Sequence, residues 1–499
     1  CDRGSPGQDT KMAGAFWAKS LVEIGDPVLE LRYYLSNYVM GCASRNPDFP
    51  PGLFGLPVTD DDPKWAGDYH LNYNHQAPFY GLYAGNHIEQ ADTFEQPILD
   101  YMDRGKAYAK ELLKIRGVYY PVGIGAKGIE TSMRPGKPRA GYENGGCFLG
   151  QKSNAAYCLV NMSMRWYATY DVGYARKVYP FVLEVVNFWE DYLKFEPTSP
   201  SDDKTSEALR RPGNGRYVIY NDSTYENMSG VLDFNPIVSL GLVRNALELA
   251  TEMSTALGVD KDRHEKWQHI LKNLSQFPTF VKDGVTVFRL SEKGNEWNEG
   301  SVGIEHIYPA GAIDQNSDPK LVEIGLNTIR AMSWWNHNGA TTGFYPAAVR
   351  LGFEPATILE KLKELIAIYH LPNGFVCCLE DSSTVPNTIN EMLCMGHHDV
   401  LRVFPVWPKD KDARFLNLRV WGAFLVSSEL KGGVVKYVKI HSEKGRPCNL
   451  VNPWPGKAID VYRDGKKVDT LKGERVVLKT EAGVTLVLGQ KGAGVPAAP

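Results

Sequence analysis

The change of hydrophobic period near residue 411 constrains this chain more than any other feature of its sequence. Before it, apolar residues recur every three to four positions behind helix-start signals; after it, they alternate. Asp26 and Pro27 read as an N-cap and first-turn pair, followed by Val28, Leu31, Leu35, Tyr38 and Cys42 on one stripe. Val178, Val182, Val185, Trp189 and Leu193 form a second stripe. Asn235 and Pro236 open a third helix, with Val238, Leu242, Ala246, Leu249, Met253 and Leu257 on one face. Gly258 closes it and Asp260 opens the next, where Trp267, Ile270, Leu271 and Leu274 carry the stripe. That is a helical hairpin, and Leu359, Leu362, Ile366 and Tyr369 repeat the pattern later. In the tail Val484, Leu486 and Leu488 alternate. Asp464-Gly465 reads as a tight hairpin turn, and Gly432-Gly433 as a second. The expectation is a barrel of paired helices with a site at one rim, then a small β-domain.

Long loops rich in Gly, Asn, Trp and Tyr separate the helices, at roughly 45–75, 118–150, 212–234, 292–316 and 334–350. Long loops in a compact helical domain are usually functional. The 11 Trp and 26 Tyr supply flat rings that suit the apolar faces of sugars, or equally a helical core. A net charge of −3 leaves no electrostatic footprint for nucleic acid or an anionic membrane, and no uncharged apolar run is long enough to span a bilayer. The eight cysteines are scattered without a CxxC pair, which reads as buried thiols rather than a zinc site. With no initiator Met and no signal sequence, a further N-terminal part is expected before residue 1.

Three segments concentrate polar chemistry. Gly67 to Gln76, with Asp68, His70, Asn72, Asn74 and His75, lines a polar cleft or forms a helix-entry loop. Asn221 to Asn227 holds Glu226 in a loop framed by Tyr217, Tyr220 and Phe234. A carboxyl enclosed by rings loses solvation and its pKa rises, as a general acid requires, although a capping or surface role is the other reading. Phe375 to Thr384 brings Glu380 and Asp381 to the start of a helix, as a catalytic base or as N-caps.

In this order the segments resemble glycoside hydrolase family 95, which contains inverting α-L-fucosidases and α-L-galactosidases. The resemblance rests on Arg32-Tyr33-Tyr34-Leu35 to Ala43-Ser44-Arg45, and on Trp65-x-x-Asp68-Tyr69-His70-x-Asn72-x-Asn74-x-Gln76. Tyr225-Glu226-Asn227 looks like the family's Ser-Pro-Glu-Asn acid motif, and Ile307-Tyr308-Pro309 like its Leu-Tyr-Pro segment. Glu380 to Leu393 looks like its base motif and following helix, and Phe404-Pro405-x-Trp407-Pro408 like its C-terminal part. Two motifs depart from the family: Gln76-Ala77-Pro78-Phe79-Tyr80-Gly81 replaces Gln-Met-Asn-Tyr-Trp-Pro, and Glu380-Asp381-Ser382-Ser383-Thr384 replaces Asp-Gly-Asn-Phe-Gly.

The resemblance implies a mainly α protein, an (α/α)6 barrel of the six-hairpin glycosidase type over 26–410, followed by a C-terminal β-sandwich over 411–499. Residues 1–25 are then a linker, or the remnant of the family's N-terminal β-sandwich. It also implies a secreted or periplasmic setting and a carbohydrate substrate, with no metal or other cofactor required. An inverting hydrolase needs a protonated carboxyl at the leaving oxygen and a base activating water on the opposite face. Glu226 takes the acid role by resemblance. Asn72 and Asn74, two apart in an extended segment, point one way and polarise the water. A carboxylate at Glu380 or Asp381 takes its proton: a count without gaps from Glu391 selects Glu380, and one gap selects Asp381, whose shorter chain matches the family's Asp. For substrate binding, the resemblance and the rings nominate His70, Trp65, Gln76, Tyr225, Trp297 and His306. The rival readings are a non-catalytic sugar-binding relative, and a phosphorylase or polysaccharide lyase on the same barrel.

Overall fold

A computed structural model describes residues 14–52, 67–132, 142–197, 215–226, 232–297, 303–336, 341–368 and 379–494. Its helices include α1 (Pro27–Ala43), α2 (Tyr80–Ala84), α3 (Gln96–Asp100), α4 (Met102–Tyr108), α5 (Asn154–Thr169) and α6 (Val172–Tyr192). They continue with α7 (Ile237–Leu257), α8 (His264–Asn273), α9 (Pro319–Met332), α10 (Thr341–Leu351), α11 (Pro355–Ile368) and α12 (Thr384–Leu393). Every residue of α10 and α12 is buried, as are most of α2 and α5. Burial on all sides marks inner helices, because a helix facing solvent keeps a polar stripe. Contacts run α10 to α12 to α2 to α5 to α7. The turns of 303–312 close the ring between α7 and α10. A side chain at Gly241 would strike the backbone of His306, and Tyr308 hydrogen-bonds Asn387 of α12. The remaining helices pack outside, giving the double ring of an (α/α)6 barrel.

Local signals explain several boundaries. The Asp26 carboxylate accepts from Val28 and Leu29 N–H, and Asp171 caps α6 in the same way. Gly258, at φ 75°, ends α7 in the left-handed conformation that glycine takes without a Cβ penalty. Two expectations need correction. Asn235 does not cap α7. It adopts φ 51° one residue before Pro236, and its amide ties Ile219, Ser275 and Glu292 together. On α1 the buried face is Leu29, Arg32, Tyr33, Ser36, Asn37 and Met40, while Val28, Leu31 and Tyr38 are exposed. The α12 neighbour is polar there, and Tyr33 donates its hydroxyl to Asn390 at 2.9 Å.

The β region has two sheets packed as a sandwich. Its strands are β1 (Leu21–Glu23), β2 (Cys394–His397), β3 (Val400–Val403), β4 (Ala413–Val420), β5 (Phe424–Lys431) and β6 (Val434–Ser442). They continue with β7 (Cys448–Val451), β8 (Ile459–Arg463), β9 (Lys466–Leu471), β10 (Arg475–Leu478) and β11 (Val484–Gln490). The larger sheet runs β1-β4-β5-β6-β11-β8-β9, and the smaller β2-β3-β7-β10 with β3 and β7 parallel. Asp464-Gly465 and Gly432-Gly433 sit at positive φ in two-residue hairpin turns, as their sequences predict. The domain boundaries shift, however. After the barrel the sandwich strands begin at Cys394, ahead of the expected 411, and Leu21–Glu23, expected in a linker, is the edge strand paired with Leu416, Phe415 and Arg414. The barrel and sandwich share one continuous hydrophobic core. Tyr167 stacks on Trp421 across their junction, and Arg419 binds both Glu443 and the carbonyl of Ala168. No described helix is long and apolar enough to cross a membrane. The five cysteines described are free, three of them buried.

Candidate active site

The segment 67–76 enters the barrel as a short strand, Tyr69–His70, paired with Gly123–Ile124. Gly123 is required there, because the Asp68 carboxylate lies where a Cβ would be. Asp68 is buried and grips Nδ1 of His70, fixing the imidazole. Burial pushes the Asp68 pKa up, opposed by His70. Residues 71–76 then turn rather than extend, so Asn72 and Asn74 do not converge on one point as an extended segment would have made them. Each amide serves a different carboxylate. Asn72 Nδ2 donates to Glu226 Oε1 at 2.9 Å and to Gln151 Oε1 at 3.2 Å, whereas Asn74 Nδ2 donates to Glu380 Oε2. Only the NH2 end of an amide can donate, so the carboxylates fix the amide orientations. Asn72 Oδ1 is left buried with no partner. Residues 154 and 306 positions apart in sequence are thus joined through one short turn.

The two carboxylates differ in setting. Glu380 lies in the turn Leu379–Ser383 that leads into α12, held by Thr342 Oγ1 on its carbonyl at 2.7 Å. Burial raises its pKa to about 7; the Asn74 hydrogen bond works against that shift and the Asp381 charge adds to it. Asp381 instead accepts from Thr341 Oγ1 at 3.2 Å and lies within electrostatic reach of Arg32. Asn74 therefore meets Glu380, not Asp381. Glu226, by contrast, is exposed, and the rings do not enclose it. Tyr220 turns away to pack on Phe234 and hydrogen-bonds Glu196. The Glu226 loop is anchored from below by Asp222. This carboxylate accepts from Lys152 N–H at 2.7 Å and Ser239 Oγ at 2.5 Å.

A cavity of about 90 Å³ opens beside Asn72, Tyr157, Tyr225, Glu226 and Glu305. Glu305 was not read from the sequence. It is 2% exposed, and burial raises its pKa to about 8, with Tyr157 opposing. Its neighbour His306, expected to bind substrate, is buried between the rings of Phe277 and Phe288 at 4.6 and 4.5 Å and does not line this cavity. The available signal was the apolar pair Ile304 and Ile307, both fully buried, which fixes how this turn faces. Gln76 is also structural: its amide donates to the Leu71 carbonyl at 2.6 Å, deep in the core. Trp297 packs near Phe280 and Lys282 on the hairpin 279–288, away from the cavity. Tyr225 does line the cavity, its hydroxyl donating to Asn295 at 3.1 Å. Trp65 and Asn227 lie outside the described residues.

Residues 14–349 match the glycosyl hydrolase family 95 catalytic domain, well over half the chain. The chain belongs to that family. A search of curated proteins finds no match. Among solved structures, a putative kojibiose phosphorylase from the human microbiome superimposes with a TM-score of 0.57 at 12% identity, over 96% of this chain and 70% of that one. Two α-L-rhamnosidases align over 94% of this chain. That of Streptomyces avermitilis, complexed with L-rhamnose, has a TM-score of 0.47 and 11% identity, and that of Dictyoglumus thermophilum 0.49 and 9%. This family 95 chain spans 42% and 50% of those two chains. Likeness at such identity shows shared fold alone, and the phosphorylase match agrees with the double helical ring described above. Membership makes this a carbohydrate-active enzyme of the glycoside hydrolase type, acting on sugar.

Proposed function

We propose that this family 95 chain is an inverting exo-glycoside hydrolase acting on α-linked L-fucose or the related L-galactose. The observation that carries the mechanism is the Asn72-x-Asn74 turn, which binds Glu226 with one amide and Glu380 with the other. Glu226 is the acid. It is exposed, lines the cavity and is held by the Asn72 amide at 2.9 Å. Glu380 is the base, ionised above a pKa of about 7 and aligned by Asn74. The unpartnered Asn72 Oδ1 accepts from the attacking water or a sugar hydroxyl. His70, held by Asp68, and Tyr225 contribute sugar contacts, and Glu305 presents a protonated carboxyl to the same cavity. A phosphorylase would need a cationic phosphate pocket where Glu380 and Asp381 stand. Among the described residues, Arg32 lies within electrostatic reach of Asp381, and Lys152, on the Glu226 side, has Nζ donating to the carbonyls of Glu143 and Gly150 at 2.7 and 3.0 Å.

The test is hydrolysis of aryl and natural α-L-fucosides and α-L-galactosides, with and without orthophosphate, following the released anomer by proton NMR. Inversion and phosphate independence support the reading; a sugar phosphate product overturns it. Glu226→Gln should lower kcat on natural glycosides by about 10²–10⁴-fold. The loss on an aryl glycoside with a good leaving group should be much smaller, because that bond needs less protonation.

A further inference from the structure

Outside the sugar pocket, Asp314, His397 and His398 meet where the barrel joins the sandwich. Asp314 follows the inner segment 303–312, His397 ends β2 and His398 opens the β2–β3 turn. Both imidazoles direct Nδ1 at the same oxygen, Asp314 Oδ2, at 2.9 and 3.1 Å. The three candidate ligand atoms all lie within 4.8 Å of one another. Asn316 reaches both carboxylate oxygens, its N–H donating to Oδ1 at 2.6 Å and its Nδ2 to Oδ2 at 3.3 Å. Asp314 and His397 are buried, while the His398 side chain is 39% exposed. Trp421 backs the His397 ring at 4.6 Å and keeps it in place. The turn that delivers His398 is unusual. His398 and Asp399 both take positive φ, at 47° and 56°, without a glycine between them.

We infer that Asp314, His397 and His398 bind a divalent transition-metal ion of the zinc class, joining the sandwich to the barrel. Ligand atoms at about 2.0–2.1 Å from a tetrahedral metal lie about 3.3–3.4 Å apart. The two observed nitrogen–oxygen edges, 2.9 and 3.1 Å, need to open by only a few tenths of an ångström to admit the ion. Two imidazoles and one carboxylate suit zinc and its neighbours rather than calcium or magnesium, which take oxygen shells. A neutral histidine binds through Nδ1 by moving its proton to Nε2, so no charge change is required of either ring. The exposed edge of His398 gives the ion an entry path and leaves a coordination position to water. The Arg350 guanidinium does not compete for Asp314, because Glu391 binds it at 2.7 Å through both nitrogens.

The experiment uses the tag-free chain, stripped with chelator and titrated with zinc chloride by calorimetry. Metal content after desalting is read by mass spectrometry. One zinc per chain should be retained, and cobalt should give visible absorption bands of an imidazole site. His398→Asn keeps a residue tolerant of the left-handed turn but removes the imidazole. Changes in the outer shell of metal sites cost about 10–100-fold in affinity, so loss of a ligand should cost about 100-fold or more. Asp314→Asn, checked for folding by circular dichroism, should lose the site as well. Zinc binding no stronger in the wild type than in a folded His398→Asn chain would overturn the proposal, and the cluster would be a hydrogen-bond network only.

Discussion

Glu226 and Glu380 carry the same carboxyl group, and the barrel gives them opposite surroundings. Glu226 sits exposed on a loop whose polar anchor, Asp222, lies four residues earlier. Glu380 is 4% exposed at the foot of an inner helix, with Thr342, Asn74 and Asp381 around it. In the proposed mechanism the base side is buried in the fold before any sugar arrives, whereas the acid side stays exposed.

The sharpest way to break this contrast is to exchange the acids beside α12. Glu380→Gln should lower kcat by about 10³-fold, while Asp381→Asn should stay within about tenfold, since general-base catalysis contributes about 10²–10⁴. The reverse order in steady-state rates would move the base to Asp381. The pH profile comes next. Because the base must be ionised and the acid protonated, kcat/KM should follow a bell, its acid limb falling about tenfold per pH unit below about 7. A limb displaced to about pH 4.5, the ordinary glutamate range, would mean that burial does not govern Glu380.

Glu305 offers a test on stability rather than rate. Its folded pKa of about 8 lies above the free glutamate value, so the folded state holds the extra proton. Stability from this group is therefore full below the unfolded pKa and is lost as pH rises through about 8. Glu305→Gln keeps the shape and removes the titration. Its stability relative to wild type should improve between pH 5 and pH 9, by on the order of 3 kcal/mol, as read by urea unfolding at each pH. A difference independent of pH would show that Glu305 is solvated. The smallest effect belongs to Trp297, which packs on the outer hairpin: Trp297→Ala should change KM by less than about twofold, since it removes no sugar contact.

Much of this architecture is legible because it depends on local chemistry. Asp26 at a helix start and Asp464-Gly465 between strands specify a backbone geometry by themselves. Motif order placed Asn72, Asn74, Glu226 and Glu380 in one site without giving their distances, and the pairing of Asn72 with Glu226 and of Asn74 with Glu380 appears only in the structure. What stayed hidden depends on which way a side chain turns. On α1 the apolar stripe Val28, Leu31 and Tyr38 points outward, because the facing inner helix offers Asn390 to Tyr33 and selects the mixed polar face. At 305–306 two adjacent residues diverge, and the ring pair Phe277 and Phe288 claims the histidine while the cavity receives the acid. Gln76 and Trp297 were read for their hydrogen-bonding and stacking capacity, which the core and the outer hairpin use instead. The cysteine count pointed away from zinc, yet the candidate ligands are an aspartate and two histidines that lie 83 and 84 residues from it.

The edge strand β1 ties the segment before the barrel to the sandwich beyond it, with Leu21 paired to Leu416. A ribosome working at about 5–20 residues per second needs about 20–80 s to travel from one to the other. For that interval the first strand of the larger sheet has emerged with its partner not yet made, so an unpaired backbone edge is presented to the cell. Its brevity, three residues from Leu21 to Glu23, keeps that edge too short to template pairing with a neighbouring chain.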